Sequence, residues 1–324
     1  MSKNDPIESA LNALSQLRTE TPSEHVEKQL RSYLANRSNL VVAKAAKVAG
    51  ELRVAPLVPD LVKAFERLMK DPAKLDKRCA AVTEVVAALY ELDYVEQEVY
   101  RLGLRHVQME ASFGPPVDAA AALRGTSAQG LLRTRYPKRM QEVLQLLVDR
   151  EPAARLGAVR ALATNGGDAG LLLLRLKVLT GDEDTDVLAE CFSALLAADP
   201  EQSLSFVTAY VDDEEEKTAE AAIWALGASR LPAAFEALRE KLERTMYEGT
   251  RKVLLAAIAA SRLPEALEFL YSQLREGNLR TANDVVEALA PYAASEAITE
   301  AVRAVVKERG EKSLLENFSR QFQR

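Results

Sequence analysis

Residues 222–274 contain one segment twice. AIWALGASRLPAAFEAL starts at Ala222 and LLAAIAASRLPEALEFL starts at Leu254, so Ser229-Arg230-Leu231-Pro232 returns as Ser261-Arg262-Leu263-Pro264 after 32 residues. Each copy reads as an apolar helix, a short turn, and a second, amphipathic helix opened by proline, the residue best tolerated at a helix's first position. A two-helix unit of this size cannot bury its apolar face alone. Stacked on copies of itself it makes a continuous core, so the spacing predicts an all-α solenoid of about seven to eight helical hairpins.

An Ala-Leu or Ala-Ile pair near the end of each first helix carries the register along the chain. It appears as Ala161-Leu162, Ala194-Leu195, Ala225-Leu226, Ala257-Ile258 and Ala288-Leu289, at intervals of 33, 31, 32 and 31 residues. Four positions before the second member of each pair stands Ala158, Cys191, Ala222, Leu254 or Val285. Residues four apart lie on one helix face, so these positions predict the core stripe.

In chain order, Asp5 and Pro6 read as the N-cap and first residue of an opening helix, and Ser23 as the cap of a second. Residues 1–36 are expected to form capping helices and 37–108 irregular repeats, including one helix over Leu75–Leu89 and its partner over Tyr94–Val107. Residues 109–150 read as an interrupted repeat whose loop, Met109–Pro116, ends in Pro-Pro; the following helix, Asp118–Leu132, is flawed by Gly125 and Gly130. Regular repeats are expected over 151–310, with second helices near Ala169–Leu179, Pro200–Tyr210, Pro232–Leu242, Pro264–Leu274 and Ser295–Val306. Residues 311–324 read as a C-terminal cap.

With 324 residues, 48% of them hydrophobic, the chain has ample material for a core. Net charge is −6 but uneven: residues 1–140 hold 21 basic and 17 acidic side chains, and 141–324 hold 21 and 31. The acidic second part argues against a nucleic-acid groove along the whole length. Two cysteines more than 100 residues apart make no disulfide framework. No signal-peptide pattern and no apolar run of about 18 residues appears, so the expectation is a cytoplasmic protein that does not enter a membrane.

Pro152-Ala153-Ala154-Arg155-Leu156-Gly157-Ala158-Val159-Arg160-Ala161-Leu162 resembles the first helix of a HEAT repeat: proline, two residues, arginine, two residues, alanine, two residues, Ala-Leu. In particular it resembles the short bacterial HEAT-like repeats of phycobilin-lyase-type proteins. The arginine position returns as Arg251 and is Leu188, Ala219 or Ala282 in the other units. The resemblance covers residues 37–310 and implies a right-handed α-α superhelix, of the armadillo-like kind, whose second helices line a concave surface. It implies no chemistry, because folds of this kind carry adaptors, scaffolds and a few enzymes alike.

The segment 101–139 concentrates positive charge. Arg101, Arg105, Arg124, Arg133, Arg135, Lys138 and Arg139 face only Glu110 and Asp118, and His106 adds to them. These eight residues are the candidate partner-binding set: a basic patch beside an irregular loop suits a carboxylate-bearing or phosphate-bearing partner. His106 and Glu110 stand four apart, as one helix turn would pair them, with a structural or surface histidine as the competing reading. Cys191 falls on the core register; Cys79, beside Lys77 and Arg78, reads as buried, with a cation-activated thiol as the alternative. The acidic runs 181–186 and 212–216 read as helix caps, since they lack calcium-loop spacing. Asn165-Gly166-Gly167 reads as a left-handed helix cap and Trp224 as core or an inter-repeat wedge.

No metal-ligand spacing and no nucleophile-base pairing stands out, and no cofactor is implied. The sequence therefore points to a non-catalytic scaffold or adaptor that binds a protein or peptide on its concave face. The alternatives are a HEAT-like lyase or DNA-glycosylase-type enzyme, or enzyme subunit, and a module that senses a small ligand at 109–137. The register itself is open to test. Leu226→Asp places an unpaired charge in the predicted core and is expected to cost more than about 3 kcal/mol, read as a lower urea midpoint; an unchanged midpoint would place Leu226 outside the core.

Overall fold

The computed structural model describes residues 6–322; the Asp5 cap lies outside them. The chain divides into two compact units, Met1–Lys177 and Val178–Arg324. The first contains α1 (Pro6–Leu17), α2 (Glu24–Leu34), α3 (Asn39–Glu51), α4 (Val58–Leu68), α5 (Pro72–Leu75), α6 (Ala80–Glu91), α7 (Gln97–Arg105), α8 (Ala121–Arg133), α9 (Arg139–Leu146) and α10 (Pro152–Asn165). A two-stranded antiparallel hairpin, β1 (Met109–Glu110) with β2 (Val117–Asp118), is the only sheet among the described residues. α11 (Gly167–Thr180) runs across the division. The second unit continues with α12 (Thr185–Ala198), α13 (Pro200–Thr208), α14 (Glu216–Ser229), α15 (Pro232–Arg244), α16 (Glu248–Ser261), α17 (Pro264–Glu276), α18 (Leu279–Leu289), α19 (Glu296–Arg309) and α20 (Lys312–Phe322). The chain is an all-α solenoid of helical hairpins.

Inside each unit, first helices stack on first helices. In the first unit α3 packs on α6, α6 on α8 and α8 on α10; in the second, α12 packs on α14, α14 on α16, α16 on α18 and α18 on α20. The register explains this order. Ala158, Cys191, Ala222, Leu254 and Val285 are all buried, as are Leu162, Leu195, Leu226, Ile258 and Leu289. Every position of the predicted stripe therefore faces the core.

The duplicated segment is a duplicated structure. Arg230 and Arg262 both take left-handed backbone, with φ of 55° and 54°, where glycine is the usual choice. Ser229 Oγ donates to the Leu226 carbonyl at 2.6 Å and accepts from the Leu231 N–H at 3.3 Å. Ser261 Oγ donates to the Ile258 carbonyl at 2.7 Å and accepts from the Leu263 N–H at 3.4 Å. One serine thus satisfies a carbonyl at the end of the first helix and holds the turn that delivers proline to the start of the second. The same logic holds at Ser23, whose Oγ accepts from the Val26 N–H, and at Asp184, which accepts from the Asp186 N–H. Gly167 is left-handed, as the Asn165-Gly166-Gly167 turn predicts.

The glycines that looked like flaws in α8 are contact points. A Cβ on Gly125 would stand 2.9 Å from the Gly157 Cα, and one on Gly130 would stand 2.0 Å from the Tyr100 ring. The α8 and α10 backbones touch at Gly125–Gly157, and α8 gives way to a fully buried tyrosine on the α7 side.

Three expectations need correction. The single helix expected over Leu75–Leu89 is broken, because Asp76 turns inward. It is fully buried and its side chain accepts from the Ala81 and Val82 N–H groups and from Asn39 Nδ2, satisfying free backbone donors at the start of α6. The loop expected over Met109–Pro116 opens from the β1–β2 hairpin. Trp224 is 44% exposed rather than core; two residues from both Ala222 and Leu226, it lies about 200° around the helix from the stripe.

Gly157→Ala is expected to lower stability by about 1–3 kcal/mol, because the new methyl group meets backbone, which cannot rotate away. Gly114→Ala, in the exposed hairpin loop with its nearest neighbour 4.0 Å away, is the matched control. Thermal melts of the two variants should separate clearly; equal melting temperatures would mean that α8 and α10 are not in contact.

Candidate functional site

The segment 101–139 lies wholly in the first unit, and its eight candidates divide into two groups. Arg124 is 4% exposed and faces inward. Its guanidinium grips Asp149 with two hydrogen bonds of 2.9 Å, donates to Asp118 at 2.6 Å and donates to the His106 carbonyl at 2.9 Å. Asp118 also accepts from the Gln108 and Ala120 N–H groups. Burial by itself raises the Asp118 carboxyl, but these backbone donors and Arg124 outweigh it and hold the group below its ordinary value. Arg124 is thus a structural tie that pins the hairpin base and the turn before α10 onto α8. Its charge is spent internally and belongs to no surface patch.

Arg133 and His106 are likewise engaged. Arg133 donates to Asp93 at 2.7 Å and to the Tyr90 carbonyl at 2.9 Å, and its guanidinium lies over the Tyr90 ring. His106 is the residue after α7, in extended backbone, with Nε2 3.2 Å from Gln108 Oε1. The helix ends before the i, i+4 pairing with Glu110 can form. Glu110 instead accepts from the Arg78 N–H and Gln108 Nε2, both at 2.6 Å, which keep its carboxyl low.

The other five gather around Tyr136 and Glu142. Arg105 clamps Glu142 through Nε at 3.2 Å and Nη2 at 2.6 Å. The Tyr136 hydroxyl donates to the same carboxylate at 2.8 Å, and the Arg101 guanidinium stacks on the Tyr136 ring at 4.6 Å. Burial opposes ionisation of Glu142, yet the Tyr136 hydroxyl and Arg105 prevail and hold its carboxyl low. The Tyr136 hydroxyl is raised in turn, first by its hydrogen bond to Glu142. Arg139 donates to the Tyr136 carbonyl at 3.2 Å. Arg135 and Lys138, on either side of Tyr136–Pro137, are exposed, and their side chains make no hydrogen bond or ion pair among the described residues.

The arrangement is a surface with one buried carboxylate at its root and a surplus of cations at its rim. An open cavity of about 630 Å³ adjoins it, bounded by Arg105, Glu142 and Arg150 and by the exposed apolar side chains of Val107, Met109 and Val148. Glu142, Asp149 and Tyr136 are the participants that charge counting missed. Glu142 and Asp149 lie beyond the basic stretch in sequence, and nothing in their spacing marks them as its partners.

Neither cysteine is available for chemistry. Cys191 is buried on the core stripe, and Cys79 is buried with its thiol pushed up to about 12 by burial first and then by Asp76 and Glu110. The cations Lys77 and Arg78 do not activate it.

Residues 172–259 match the family of HEAT repeats. Residues 172–259 thus carry HEAT-repeat sequence, and they lie within a longer run of stacked two-helix units. No curated protein matches the sequence. Among solved structures, the complex of CpcE and CpcF of phycocyanin lyase from Nostoc sp. PCC7120 is 14% identical, covering 89% of this chain and 97% of that chain with a TM-score of 0.36. An engineered protein is 14% identical, covering 99% of this chain and 95% of that chain with a TM-score of 0.34. Among the described residues no helix is long and apolar enough to cross a membrane.

The Glu142 cluster makes stability pH-dependent. Because its folded value lies below the ordinary 4.5, Glu142 stabilises the fold above that pH and loses the contribution as pH falls through the folded value. Glu142→Gln should therefore be less stable than wild type near pH 7. Its urea midpoint should also fall less steeply than that of wild type between about pH 5 and 3. Parallel pH profiles would show that Glu142 is not held ionised by its neighbours.

Proposed function

We propose that this chain is a non-catalytic HEAT-repeat scaffold that binds a protein or peptide partner, and that the contact surface includes the Tyr136 patch in the first unit. The observation that carries the reading is the contrast within 101–139. Arg124 and Arg133 are consumed by internal ties, whereas Arg135 and Lys138 stay exposed and unpaired on a rigid helical frame. Solvent-facing cations beside a stacked Arg101–Tyr136 pair suit recognition of carboxylates, because their donors are not engaged within the chain. Exposed Val107, Met109 and Val148 supply apolar area next to the charges, as interfaces require.

Arg135→Glu with Lys138→Glu is the direct test, because neither side chain holds the fold together. The double variant should keep its helix content and melting temperature. It should lose at least ~10-fold in affinity for a partner captured by wild type, the scale expected when two rim charges are reversed. Recovery of the same partners at the same yield would overturn the assignment of the patch.

A further inference from the structure

The second unit offers the electrostatic complement of this patch. By composition, residues 1–177 carry 26 basic and 21 acidic side chains, a net +5, and residues 178–324 carry 16 and 27, a net −11. The negative charge has a shape. A cleft of about 270 Å³ has Val211, Ala219 and Ile223 in its floor and Asp213, Glu214, Glu216 and Glu220 around them. Tyr247 stands at its edge, and Tyr247 and its neighbour Met246 are both exposed, Met246 at 95%. Asp212 is neutralised by Lys241. Glu214, Glu216 and Glu220 have no cationic partner among the described residues, so their charge faces outward. An apolar floor, an aromatic edge and free carboxylates together suit a long basic side chain: the stem packs on the floor and ring, and the charged head meets the acids.

We infer that the occupant of this cleft is the Tyr136 patch of a second copy of the chain, so that the protein self-associates. The inference rests on the reading of that patch as an interface, and names its partner. Charge complementarity carries it: exposed, unpaired Arg135 and Lys138 on one surface match exposed, unpaired Glu214 and Glu216 on the other. Each surface also carries exposed apolar side chains, Val107 and Val148 beside Arg105 and Arg150 on the first and Met246 and Tyr247 on the second. Pairing of the patch of one copy with the cleft of another closes as a twofold dimer where both pairs form reciprocally and otherwise propagates into rings or chains.

Sedimentation velocity on the full chain tests this without any outside ligand. Wild type at low ionic strength should sediment faster as its concentration rises. The rise should vanish in high salt, where screening shortens the reach of charges to about 3 Å. Arg135→Glu/Lys138→Glu and Glu214→Lys/Glu216→Lys should each remain a single monomeric species with unchanged circular dichroism. An equimolar mixture of the two should associate again, because the reversed patch of the first meets the reversed cleft of the second and the native cleft of the first meets the native patch of the second. A wild type that stays monomeric at every concentration and salt, variants that associate like wild type, or a mixture that fails to recover would each overturn the inference. Loss of heterologous partners by the first variant alongside a monomeric wild type would leave the patch as an interface and remove only self-association.

Discussion

A helical hairpin of some thirty residues has more apolar surface than it can cover by itself, and this shortfall orders the rest of the molecule. Each first helix presents the stripe that ends in Leu162, Leu195, Leu226, Ile258 or Leu289, and the stripe is buried in every case. Small residues let the helices approach closely enough for this to happen. Where α8 meets α10, glycine faces glycine and the two backbones touch. Removing one unit's stripe from its neighbour would expose both, so the repeats stabilise one another and none is expected to stand alone.

The interruption between α7 and α10 departs from this economy and is held by charge instead of apolar area. Arg124 joins the hairpin base, the carbonyl after α7 and the turn before α10, while Glu142 gathers Arg101, Arg105 and Tyr136. Four of the five N–H donors of the buried Arg124 guanidinium are engaged, two of its partners being carboxylates, and these bonds offset the cost of taking a charge of the basic stretch out of water. The same ties leave Arg135 and Lys138 at the surface. The segment is therefore divided into cations that hold the scaffold together and cations that face outward, and only the second kind suits binding.

Much of the fold was legible because the signals were local and repeated. The Ala-Leu register, the proline after each SRL turn and the serine and aspartate caps depend on residues within a few positions of one another. Of the two readings of Trp224, core and inter-repeat wedge, its 44% exposure overturns the first. Its angular position on α14 puts it on the face away from the stripe, two residues from both Ala222 and Leu226. Asp76 broke an expected helix because its buried carboxylate found three donors, on α3 and α6, while Gln108 reaches its main-chain carbonyl, and no local pattern announces such a coincidence.

The amino-acid sequence by itself determined the repeat, its length, its core positions and the turn that links one helix to the next, because those follow from helical periodicity and capping over short distances. Only the tertiary structure decided which cations are free. Arg124 and Arg135 look alike in sequence. Asp149, 25 residues beyond Arg124, takes one out of solvent, whereas no acid reaches the other. Ion pairing depends on separation in space, and that separation exists only once the helices have stacked.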